Sequence, residues 1–166
     1  MDADREIVAR QIGRTPRAFA RVAVRCPFGK PAVTEQAPYD PTGEPFPTTY
    51  YVTCRHLVAA LSRLEADGGV ERWSSAVAAD EELRASRDRA DDDQRRIRRR
   101  LAGAERGRDD GASLEFGVGG QRPGAGSLKC LHAHAGFALA HPGYTLGARI
   151  VAELPQLWPD RCCTSD

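Results

Sequence analysis

Aromatic side chains are scarce in this chain of 166 residues, at 7%, and net charge is close to absent, at +1. With 24 Lys and Arg against 23 Asp and Glu, no overall field draws the chain to nucleic acid, so electrostatic partners must be sought in local clusters. The longest nearly apolar run, around 136–140, falls far short of the roughly 20 residues a membrane-spanning helix needs, so no membrane association is expected. The opening MDADREIVARQ is charged from its second residue and lacks an apolar h-region, which argues against a secretory signal. The expectation is a cytoplasmic protein, where thiols stay reduced. There is no CxxC pair, no Walker A sequence and no GxGxxG after a clear strand, so neither a familiar zinc module nor a nucleotide fingerprint is present.

What is present suits one α+β domain over 1–154, with a small N-terminal sheet packed by helices. Residues 2–12 predict a short helix stopped by Gly13. In 18-AFARVAVRC-26 the residues Val22, Val24 and Cys26 alternate with Arg21 and Arg25, the period of a half-buried strand that points Cys26 inward. Residues 32–35 suit a second strand, and the proline-rich stretch 37–47 a loop. The β-prone 48-TTYYVT-53 then runs into a helix over 54–69. Its stripe is Leu57, Val58, Leu61 and Leu64, with Thr53 as the expected N-cap.

From 80 to 100, fifteen of twenty-one positions are charged, acidic first and arginine-rich later. Only Leu83, Ala90, Ile97 and Leu101 draw a thin apolar line, so a solvated, protruding arm is expected over about 75–108, a helix or helical hairpin with at most one side resting on the body. The basic run 95-RRIRRR-100 follows 91-DDD-93, which cancels much of its field. That favours an arm meeting a protein partner over a nucleic-acid grip. The loop 111–127, with six glycines, is expected to be flexible, and 155–166 a disordered tail holding Cys162 and Cys163.

The stretch 128-LKCLHAHAGFALAHP-142 holds Cys130, His132, His134 and His141. On a helix Cys130 and His134 share a face with Phe137 and His141; on a strand Cys130, His132 and His134 point one way. Cys26 and Cys54 flank turns and complete a set. Cys26, Cys54, Cys130 and His134 fit tetrahedral zinc, tying the N-terminal strands to this helix. An iron–sulfur cluster with three thiolates and a histidine is a lesser alternative. A second chemistry makes Cys130 a nucleophile with His132 or His134 as base and Lys129 nearby. The glycine loop would serve as anion cradle in a small hydrolase or transferase acting on a phosphorylated or acyl substrate. A third reading is a pure interaction module built on the charged arm, its cysteines merely buried. His56 and His132 read as structural or surface residues rather than ligands.

The segments 26-CPFGKPAV-33, 43-GEPFPTTYYVTC-54, 62-SRLEADGGV-70, 117-GVGG-120 and 129-KCLHAHAGFALA-140 resemble the domain-of-unknown-function family numbered 501, over about residues 5 to 152. The resemblance implies a bacterial, mainly actinobacterial, protein with no established activity. It marks Cys26, Gly29, Pro47, Tyr50, Tyr51, Cys54, Lys129, Cys130 and His132, which brings His132 forward as the alternative fourth ligand.

Overall fold

The computed structural model describes residues 2–164, and it builds the α+β arrangement around one helix that is apolar almost all round. Helix α1 (Ala3–Ile12) starts where the Asp2 carboxylate accepts from the Asp4 amide and ends at Gly13, whose φ of 71° only glycine adopts readily. Strands β1 (Phe19–Arg25), β2 (Pro31–Gln36) and β3 (Tyr50–Val52) form an antiparallel sheet in that order. Across β1 and β2, Arg21 grips Glu35 with two hydrogen bonds of 2.9 and 2.8 Å. Cys26 is buried at the end of β1, as the strand period requires.

Helices α2 (Arg55–Ala66), α3 (Gly69–Ala79), α4 (Glu81–Ala102), α5 (Leu131–Ala140) and α6 (Thr145–Ala152) follow. The cap of α2 is Cys54 rather than Thr53, and it makes no side-chain capping bond. Helix α5 buries Leu131, Ala133, His134, Ala135, Gly136, Phe137 and Ala138, and a helix apolar on every side belongs at the centre of a fold. Two glycines let it sit there. A Cβ on Gly136 would lie 2.9 Å from the Tyr50 carbonyl of β3, and one on Gly147 of α6 would lie 2.6 Å from Ala138. Ring contacts of Phe137 with Tyr50, His141 and Tyr144, at 5.0–5.6 Å between centroids, close this core.

The charged segment is not a protruding arm. Helix α4 buries Leu83, Ser86, Ala90, Gln94, Ile97, Arg98 and Ala102, a continuous stripe at helical spacing in which small and polar residues fill gaps between the apolar ones. Arg98 is fully buried and donates to the carbonyls of Ser113 (3.1 Å), Phe46 (2.9 Å) and Pro47 (3.3 Å). Of the other arginines in 95–100, Arg95 pairs with Asp92, Arg96 with Asp93 and Arg99 with Glu115, so the basic run is largely neutralised within its own surroundings.

The glycine loop is ordered where it meets the body. Short 3₁₀ turns occupy Ala112–Glu115 and Val118–Gly120. A Cβ on Gly117 would collide with the Asp91 carboxylate and one on Gly120 with Pro47. Residues 155–164 also lie against the body, in place of the expected disordered tail: His56 Nε2 meets the Gln156 carbonyl at 2.8 Å, and Gln11 Nε2 donates to Thr164 Oγ1 at 3.2 Å. Residues 165 and 166 of that expected tail lie outside the described residues.

Candidate metal centre

The last turn of α2 meets the N-terminus of α5. Cys130 is its cap residue, with extended backbone (φ −161°, ψ 133°), and makes no side-chain capping bond. Glu65, in the last turn of α2, takes over that role from outside: its Oε1 accepts from the Leu131 amide at 2.8 Å. The same oxygen stands 3.0 Å from His132 Nδ1. Val58, Ser62 and Glu65 are spaced i, i+4, i+7 along α2 and present one face to His132, whose Nε2 lies 3.3 Å from Ser62 Oγ and 3.4 Å from the Val58 carbonyl.

One donor atom each from Glu65, Cys130 and His132 lies within 4.8 Å of the other two, the one such group of three or more His, Cys, Asp or Glu donors among the described residues. The electrostatics fit their closeness. His132 is raised to about 9, chiefly by its hydrogen bond with Cys130, against burial and with Glu65 assisting. Glu65 is pushed up by burial, but the His132 ring and the Leu131 amide outweigh this and leave it below the ordinary carboxylate range.

The structure does not gather the quartet of Cys26, Cys54, Cys130 and His134. Because Cys130 is extended rather than helical, the i,i+4 argument fails at its first residue, and the Cys130 donor lies with His132 at the helix start rather than with His134. His134 turns into the core instead, with Nδ1 2.7 Å from the Tyr144 hydroxyl. Complete burial, with the Arg87 charge nearby, lowers it to about 4. Cys26 is a core residue, and the Cys54 Sγ faces that of Cys163 at 3.5 Å.

Beside the trio opens a cleft of about 400 Å³. Pro47, Tyr50, Tyr51, Lys129, Cys130 and His132, all positions marked by the resemblance described above, line it together with Val58 and Ala133. The glycine loop offers no open anion cradle at its centre. The Gly117 amide donates to the Gln121 carbonyl (2.7 Å), that of Val118 to Asp91 Oδ1 (2.8 Å) and that of Gly120 to the Gly117 carbonyl (3.0 Å).

The family model described as a protein of unknown function, DUF501, matches residues 22–152. The chain belongs to the DUF501 family. No curated protein and no solved structure matches it. The matched DUF501 region contains the whole of the trio and its cleft, while α1 and the C-terminal segment lie outside it. No helix is long and apolar enough to cross a membrane among the described residues.

Glu65 escaped the sequence reading. Its signal was present in 62-SRLEADGGV-70: two polar residues, Ser62 and Glu65, continue the face that Val58 begins, beside an apolar stripe. Nothing in the sequence said that this face would meet the start of α5.

Proposed function

We propose that this DUF501 protein binds a divalent transition-metal ion, zinc foremost, through Glu65, Cys130 and His132, with the cleft leaving a coordination position open. The observation that carries the reading is the convergence of a carboxylate, a thiol and an imidazole within 4.8 Å. With Zn–S of about 2.3 Å and Zn–N of about 2.0–2.1 Å, donors around a tetrahedral zinc stand about 3.3–3.6 Å apart, so modest side-chain adjustments suit the site to the ion. The surroundings of His132 suit a ligand. Its Nε2 has acceptors in Ser62 and Val58, the kind of outer contact that orients a metal-bound imidazole and leaves Nδ1 for the metal. A thiolate and a carboxylate together offset the two charges of the ion. One thiolate favours zinc over a thiolate-held iron–sulfur cluster.

Three protein donors and an open position are the arrangement of catalytic rather than purely structural zinc, in which the metal acidifies bound water and polarises a carbonyl or phosphoryl group. Lys129, on the cleft wall, adds a cation for an anionic substrate group. The test is zinc titration by calorimetry with elemental analysis, on reduced protein stripped of metal. One zinc per chain is expected, lost in Cys130→Ser and His132→Gln with native far-UV circular dichroism, and retained in Cys26→Ser and Cys54→Ser. Wild-type protein that takes up no metal overturns the reading, as does undiminished binding in the Cys130 and His132 variants.

A second reading rests on the pairing of His132 with Glu65 beside Cys130, which supplies the orienting carboxylate that a thiol nucleophile would use. In that case Cys130 reacts rapidly with iodoacetamide in metal-free protein, and Glu65→Gln slows it.

A further inference from the structure

A pair of thiols lies away from the candidate metal centre. Cys54, at the cap of α2, is 2% exposed, and its Sγ stands 3.5 Å from the Sγ of Cys163, 109 residues later in the chain. Cys163 is held there from both sides. Thr164 is buried and accepts from Gln11, whose Nε2 also donates to the Pro31 carbonyl at 2.8 Å; Gln156 is fixed by His56; and Leu157 and Trp158 pack on the core. The neighbouring Cys162 is turned elsewhere, its thiol donating to the Thr164 carbonyl at 3.4 Å. Since Sγ atoms of a disulfide are about 2.05 Å apart, the two sulfurs need to close by only about 1.5 Å.

We infer that Cys54 and Cys163 form a redox-active dithiol, a site for exchange with low-molecular-weight disulfides that ties the C-terminal segment to the start of α2. The two thiols are unlike. Burial pushes Cys163 up, but the amides of His56 and Arg55 at the start of α2, together with Cys54 and Thr164, outweigh this and bring it below the ordinary thiol value. Cys54 is pushed up to about 11, chiefly by its burial. Cys163, the more exposed, is therefore the attacking thiolate and Cys54 the resolving thiol.

Cys163 Sγ attacks one sulfur of the small disulfide, forming a mixed disulfide and releasing one thiolate. Cys54 gives its proton to that thiolate and attacks Cys163 Sγ, expelling the second thiolate, which takes a proton from water. The protein loses two electrons and two protons, one of them released to water when Cys163 ionises, and the small disulfide becomes two thiols.

The test is incubation of the full reduced chain with glutathione disulfide, followed by peptide mapping without reductant. The expected product is a Cys54–Cys163 linkage with an intact-mass loss of about 2 Da, reversed by dithiothreitol. Cys162→Ser retains it, and Cys54→Ser stops at a glutathione adduct on Cys163. A linkage through Cys162, a stable adduct on Cys163 in the wild-type chain, or unreacted Cys163 overturns the inference. None of these outcomes involves Cys130, so they are separable from metal binding.

Discussion

His132 and His134 sit two positions apart on α5 and are driven to opposite protonation states. His132, between Cys130 and Glu65, is raised to about 9, so a metal must displace its proton. Zinc affinity should therefore climb by at least about tenfold per pH unit between pH 6.5 and 8.5, measured against a competing chelator. His134, sealed beside Tyr144, is lowered to about 4 and stays neutral in the fold. A depressed histidine contributes stability above its unfolded value, near 6.5, and loses it as pH falls toward the folded value, because the unfolded chain takes up the proton first. At about 1.4 kcal/mol per unit, the loss between pH 7 and pH 4 is up to roughly 3 kcal/mol. Urea unfolding of wild type and His134→Gln checks this, as the variant should lack that part of the pH slope.

Helix α4 shows how an element of extreme charge becomes part of a core. Arg98 is buried with no carboxylate in hydrogen-bond contact among the described residues; its guanidinium is shared among the carbonyls of Ser113, Phe46 and Pro47, and burial lowers it to about 10, still protonated at neutral pH. It ties α4 to the segment before β3, where Pro47 forms part of the cleft wall. Arg98→Ala would strand those carbonyls and should cost about 3–5 kcal/mol in denaturant unfolding, whereas Arg96→Ala on the exposed side should cost under about 1 kcal/mol. The contact of α5 with β3 is equally tight. Gly136→Ala should destabilise by about 1–3 kcal/mol, since the new methyl group meets the Tyr50 carbonyl at 2.9 Å. The side chains of α4 give its stripe away in sequence, once Ser86, Gln94 and Arg98 are read as filling positions; a rule that counts only apolar residues sees a bare arm.

Across the whole molecule, the candidate metal centre joins α2 to the start of α5, the helix against which α2, α6 and the three strands pack. Zinc at about one hundred times its dissociation constant should add about 2.7 kcal/mol, and raise the melting temperature of a chain this size by about 5–10 °C. Scanning calorimetry with and without zinc reads this directly, and Cys130→Ser should abolish the shift.

The sequence by itself determined the strands, the helices and the α+β class, because apolar period, proline, glycine and capping residues act over a few neighbours. It singled out 129–140 as the stretch where Cys130 stands among histidines. Tertiary structure alone decided which donors meet. Whether Cys130 pairs with His134 or His132 turned on one residue of extended backbone at a helix cap. The third donor, Glu65, arrives from a helix whose position against α5 depends on the packing of the whole core. The partner of Cys54, too, comes from a segment more than a hundred residues away, and no local pattern encodes that meeting.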